Sequence, residues 1–228
     1  NEINTYRDES KAAFLPRFFK TGKGEYGEGD QFIGVVVPNL RIVAKKHFDA
    51  DFDTLRELLA SPYHEYRLTA LLALTYRYAK LKDHTSRETC VNFYVSQVDA
   101  INNWDLVDLS CYKILGHWLF DKDKQLLYDW AKENHLWKQR IAMISCMHFV
   151  KQGEFKDALA IADLLQHHPH DLIHKAVGWI LREIGKEDEQ LLVDYLTPRY
   201  KEMPRTMLRY AIERFEEEKR KAFLNSTI

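Results

Sequence analysis

No run of the 228-residue chain approaches the 18 consecutive apolar residues that a membrane-spanning helix needs, and no charged-then-apolar leader opens it. Neither a membrane span nor a secretory signal is expected. Cysteine is scarce. Cys90, Cys111 and Cys146 are odd in number, widely separated and set in apolar, helix-like surroundings, which suits a reducing cytoplasm better than a disulfide framework. Net charge is nearly absent too, with 33 Lys and Arg against 34 Asp and Glu, so a nucleic-acid partner must be argued from local patches. Alternating strand patterns are almost missing, and the six prolines and nine glycines fall mostly between periodic segments.

What is present is apolar residues recurring at three and four along a chain that is 46% hydrophobic and 13% aromatic, enough for a sizeable core. The chain reads as all-α. One run, FIGVVV at 32–37, suits either a strand or an extended connector between Gly29 and Pro38. Five segments, EYRLTALLAL, NWDLVDLSCYKI, KQRIAMISCM, IHKAVGWILREI and LRYAIERF, align on Arg67, Trp104, Arg140, Lys175 and Arg209 at intervals of 37, 36, 35 and 34 residues. A second helical pattern lies between successive anchors, as in QLLYDWAKEN. This period predicts a right-handed α-solenoid of helical hairpins whose equivalent helices line a concave surface. The expected organisation is a single domain over 1–228, with N-terminal helices and a loop over 1–48 and repeats over 49–228. The anchors place Arg67, Arg140, Lys175 and Arg209 in a basic stripe able to hold phosphates, or else as solvated charges at helix starts.

The stretch INNWDLVDLS at 101–110 sets a tryptophan four residues before an aspartate. At about 100° per residue, Val107, Cys111, Ile114 and Trp118 form the buried stripe of its helix, with Trp104 and Asp108 on one flank. Asp105 is then expected to point away from the core, and Asn102 or Asn103 to cap the helix. In IHKAVGWILRE the stripe is Ile173, Val177, Ile180, Leu181 and Ile184, which puts Lys175, Trp179 and Arg182 on the opposite face. Trp179 there either offers an aromatic plane beside two phosphate-binding cations or packs against the next hairpin. Two tryptophans with an acid suit a cationic transition state, since aromatic faces attract positive charge and a fixed carboxylate stabilises a developing carbocation more strongly.

NNWDLVD, WKQRIA and HKAVGWILRE, in this order and spacing, resemble the HEAT-like-repeat DNA glycosylases of the AlkD type, which remove alkylated purines. FFKTGKGEYGEGDQFIGVVVP and MPRTMLRYAIERF resemble that family's flanking segments, so the likeness spans nearly the whole chain. The resemblance implies a monofunctional glycosylase that uses no cofactor or metal. Its partner would be double-stranded DNA containing N3- or N7-alkylated purines, and its product an abasic site. It would work as a monomer in a bacterial cytoplasm, associated with the nucleoid during repair. By the same resemblance Asp108 matches the family's essential acid, Trp104 and Trp179 its flanking aromatics, and Arg140 its backbone-contacting arginine. Tyr26 in the GEYGEGD loop is either a minor-groove neighbour or an ordinary loop tyrosine. The segment before Pro38 carries Val36 where a family glutamine would stand.

The string HHPHDLIH brings four histidines together at a spacing that can bind zinc, but a polar turn beside Pro169 explains it more simply. The GKGEYGEGD glycines lack the ending of a phosphate loop and read as a flexible connection. No Cys–His pair, serine elbow or identifiable lysine nucleophile points to covalent or lyase chemistry. The rival readings are a helical-repeat scaffold for protein partners, which requires an apolar concave face, and a protein that binds distorted DNA without chemistry.

Overall fold

The computed structural model describes residues 2–228. Among them every regular element is helical, and the β-type pairing is an isolated bridge between Gln31 and Tyr63. Among the described residues no helix is long and apolar enough to cross a membrane. The chain forms two compact units, one ending at Trp118 and the other spanning Leu119–Ile228.

The first unit contains α1 (Glu9–Phe14), α2 (Val37–Lys46), α3 (Phe52–Leu59), α4 (His64–Lys80), α5 (His84–Ser96) and α6 (Trp104–Asp108), and the short α7 (His117–Leu119) spans the boundary with the second. Its centre is α4, against which α2, α3, α5 and α6 pack. The sequence makes this position unavoidable: Leu68, Ala70, Leu71, Leu72, Ala73 and Leu74 are all buried, and a helix apolar all round can only be interior. Aspartates start the flanking helices, with Asp51 and Asp83 accepting the N–H groups of Thr54 and Ser86 at 2.7 and 2.8 Å. The FIGVVV run is an extended connector, and α2 begins at its last residue with Pro38 in the first turn, where a missing N–H costs nothing.

The second unit contains α8 (Gln125–Lys132), α9 (Leu136–Val150), α10 (Lys156–Leu165), α11 (Asp171–Glu187), α12 (Glu189–Leu196), α13 (Arg205–Ala211) and α14 (Glu217–Asn225). Here α9 is the interior helix, packed against α8, α10 and α11. It ends in a turn at Gly153, whose φ of +78° few other residues adopt. The close approach of α11 and α13 depends on Gly178, where an added Cβ would lie 2.5 Å from the Met207 carbonyl oxygen. The repeat anchors Arg67, Trp104, Arg140, Lys175 and Arg209 fall on α4, α6, α9, α11 and α13, with α5, α8, α10 and α12 between them. That is the alternation the 34–37-residue period implies.

Candidate active site

The WDLVD segment forms a helix of only five residues, α6, capped by Asn103, whose side-chain oxygen accepts the Trp104 N–H at 2.8 Å. Beyond Asp108 the regular helix stops. Ser110 Oγ turns back to the Leu106 carbonyl at 2.5 Å, and the chain re-enters helix through a wider π turn at Tyr112–Gly116. Val107, Cys111 and Ile114 are buried as the period predicts, whereas Trp118, beyond the π turn, is only partly covered. Trp104 and Asp108 are both half-exposed and one helical turn apart, so their side chains share a face. The Trp104 indole stacks on Phe19 at 5.4 Å with 17° between planes, and its N–H points to the Phe18 carbonyl at 3.4 Å. The Asp108 carboxylate lies close enough to the buried Tyr94 phenol to raise its pKa further, after burial has done most of that work.

Asp105 does not point into solvent. It is buried, with Oδ2 2.8 Å from His64 Nε2. The other side of the imidazole faces Asp30, whose Oδ2 is 3.8 Å from Nδ1, and Asp30 in turn holds the Arg67 guanidinium at 2.7 Å. Arg67, Asp30, His64 and Asp105 thus form a buried row of alternating charge, covered by the Phe19 and Phe32 rings at 4.7 and 5.1 Å from the imidazole. The helical-wheel expectation fails because a wheel assumes one buried side. This short helix is covered on two: α4 supplies the partners for Asp105 on one, and the core takes Val107 on the other. Burial depresses the His64 pKa, but the charge of Asp105 and the hydrogen bond to it, with the Asp30 carboxylate on the other side of the ring, outweigh it and hold the imidazole at about 9. His64 is therefore cationic at neutral pH, and the row is balanced.

Glu65, next to His64, anchors the loop that supplies Asp30. Its buried carboxylate accepts the backbone N–H groups of Ile33, Gly34 and Val35 at 3.1, 2.8 and 3.2 Å. Gly34 has φ +83°, and a Cβ there would strike the Asp8 carbonyl, so the connector must be glycine at that point. The GEYGEGD loop is closed by its own acids rather than left slack. Glu25 accepts the Gly22 N–H at 2.9 Å and Glu28 the Gly24 N–H at 2.7 Å, with Tyr26 half-exposed between them.

In the second unit, Ile173, Val177, Ile180, Leu181 and Ile184 are buried along α11, and Lys175, Trp179 and Arg182 are partly exposed. Both cations carry acidic partners: Lys175 pairs with Asp171 at 2.7 Å, and Arg182 with Glu213 and, at 3.5 Å, with Glu183. Arg140 is buried on α9 and donates a hydrogen bond to the Leu172 carbonyl in the first turn of α11. The stripe expected from the repeat anchors is thus broken. Arg67 and Arg140 are buried, Lys175 is paired, and Arg209 stands exposed. Equivalent positions in an irregular repeat do not keep equivalent exposure, because each meets a different neighbour. The histidines of HHPHDLIH serve the turn: His168 and His170 accept N–H groups of His170 and Leu172 at 3.0 and 3.1 Å, and His174 contacts the His168 carbonyl. Among the described residues no cluster of three or more His, Cys, Asp or Glu could hold a metal.

Asp30, His64, Asp105 and Glu65 are absent from the sequence-derived site. Their signal was faint. HEYR opens a run that is otherwise apolar, and polar residues at a helix start are usually solvated caps.

A family model described as DNA alkylation repair enzyme matches residues 1–215. Two solved structures share the fold across 92% of this chain. One is described as a predicted DNA alkylation repair enzyme from Enterococcus faecalis, at TM-score 0.70 and 13% identity over 97% of that chain. The other is AlkD2 from Streptococcus mutans, at TM-score 0.56 and 16% identity over 99% of that chain. No curated protein matches.

Proposed function

Because the chain belongs to the DNA alkylation repair enzyme family, we propose that it is a monofunctional DNA glycosylase acting on cationic N3- and N7-alkylated purines in duplex DNA. The observation that carries this reading is the pairing of Trp104 with Asp108, both half-exposed on one face of a helix that is fixed from beneath by the buried Asp105–His64 contact. In the reaction the bond between C1′ and the purine nitrogen breaks, its electron pair passes to the base, and the base loses its positive charge. Positive charge grows on the sugar at the same time. The Asp108 carboxylate stabilises that charge, and water adds to C1′ and releases a proton to solvent, leaving an abasic site. Such a fixed charge is most effective where charge appears only in the transition state. An indole contributes by facing the cationic base, which favours it by about 0.5 to 2 kcal/mol.

In this reading Trp104 is such a face, and Trp179 on the second unit offers an aromatic face to the duplex. Lys175 and Arg182 contact phosphates by exchanging an acidic partner for DNA, Arg140 acts from beneath by holding the first turn of α11 through the Leu172 carbonyl, and Tyr26 neighbours the minor groove. No cofactor is required, because a cationic purine is already a good leaving group. The test is incubation with duplex DNA carrying 7-methylguanine. Release of free base with alkali-sensitive abasic sites supports the reading. Binding without release would leave a protein that recognises damaged duplex without chemistry.

A further inference from the structure

Residues 10–24, SKAAFLPRFFKTGKG, contain Lys11, Arg17, Lys20 and Lys23 and no acid, in a chain that is nearly neutral as a whole. The structure makes this segment unusual in a second way. Phe14 and Phe18 are 48% and 57% exposed, the latter more than any other large hydrophobic side chain among the described residues. They meet edge to face at 5.3 Å, and the Arg17 guanidinium sits 5.4 Å from the Phe14 ring. Lys11 is taken by Asp8, but Arg17, Lys20 and Lys23 are exposed and make no ion pair among the described residues. An aromatic pair is thus presented among three unneutralised cations.

The segment is also fixed to the candidate site. The Trp104 indole N–H points to the Phe18 carbonyl, and the next ring, Phe19, is buried and stacks on Trp104. Phe19 faces inward and Phe18 outward, so one residue anchors the segment and its neighbour is left for a ligand. We propose that Phe14, Phe18, Arg17, Lys20 and Lys23 form a DNA-binding platform beside Trp104, in which the two rings pack against the sugars and base edges of one strand and the three cations take its phosphates. This rests on the reading of the protein as DNA-binding and adds the element that holds the strand next to the reacting nucleotide. Apolar rings alone would suit a protein partner. Three free cations within seven residues, with no acid among them, suit a polyanion instead.

The two kinds of contact leave different signatures. Phosphate contacts release counterions and set the slope of log affinity against log salt, whereas ring contacts shift affinity with little effect on slope. Fluorescence anisotropy with a labelled 7-methylguanine duplex, at several salt concentrations, reads both. Phe18→Ala should weaken binding about tenfold with the slope unchanged, the lower part of the range for removing one aromatic contact to a base. Arg17→Ala should lower the magnitude of the slope by about one. Lys221→Ala, whose ammonium pairs with Glu217 on α14, should match the parent. These side chains are exposed, so the variants are expected to fold, and circular dichroism checks it. Parent-like affinity in Phe14→Ala, Phe18→Ala and the double variant, or a parent-like slope in Arg17→Ala, overturns the platform. A parent protein that fails to bind duplex at all overturns the functional reading as well. Variants that bind like a parent that does excise overturn the platform alone.

Discussion

His64 Nε2 lies 2.8 Å from Asp105 Oδ2, and both side chains are almost wholly buried, one residue along the chain from the half-exposed Trp104. The contact ties α6 to α4, so the helix that carries Trp104 and Asp108 cannot rotate without breaking a buried ion pair. Removing one partner of such a pair leaves an uncompensated buried charge, at a cost of about 3 to 5 kcal/mol. Asp105→Asn should accordingly lower stability by about 3 kcal/mol in urea unfolding. A fall below about 0.5 kcal/mol would show that the row is not holding the helix.

The same pair gives stability a pH dependence. His64 is raised from 6.5 to about 9 on folding, so its contribution is complete below about pH 6.5 and is lost as pH rises through about 9. The difference corresponds to about 3 kcal/mol. Urea unfolding at intervals from pH 6 to pH 10 should show the parent losing stability over that window, while His64→Gln, less stable at pH 6, changes less. Parallel curves for the two proteins would rule out a cationic His64.

Asp108→Asn should keep fold and duplex affinity and slow excision about 10²- to 10³-fold, the scale of losing one preorganised electrostatic contact. Single-turnover base release measures it. On the glycosylase reading, Trp104→Ala and Trp179→Ala should each cost less, because an aromatic face acts on the damaged duplex before charge develops on the sugar. Asp105→Asn cannot serve as an inert comparison for Asp108→Asn, since its carboxylate is buried.

Glu65→Ala should destabilise the first unit by about 3 kcal/mol, because it leaves the buried N–H groups of residues 33–35 without their acceptor. Hydrogen exchange at those three amides should accelerate well beyond exchange in α5. Unchanged protection there would contradict the anchoring role.

Gly178→Ala should lower stability by about 1 to 3 kcal/mol, since its Cβ would enter the space held by the Met207 carbonyl and the Tyr210 side chain. Thermal unfolding of the full chain measures this directly. A parent-like melting temperature would mean that α13 moves aside freely.

Helices, their order and their period were legible in the sequence because apolar side chains recur at the spacing of a helix turn, and that spacing is a local property. The buried stripe of α11 followed from the same count, as did the half-exposed setting of Trp179, since α11 is a single regular helix with one covered side. Trp104 and Asp108 stood out for their spacing, and the family resemblance for its motifs. What the sequence could not decide was the environment of charges. Asp30, His64, Arg67 and Asp105 come from a loop and two helices, and whether each is solvated or buried depends on which others it meets. Arg140 and Arg209 occupy matching repeat positions, yet one is buried against the Leu172 carbonyl and the other exposed. Burying a charge costs several kcal/mol unless a partner is already in place. Partners separated by tens of residues are brought together only by the tertiary fold, so periodicity settled where the helices lie and packing settled which acids and bases remain free.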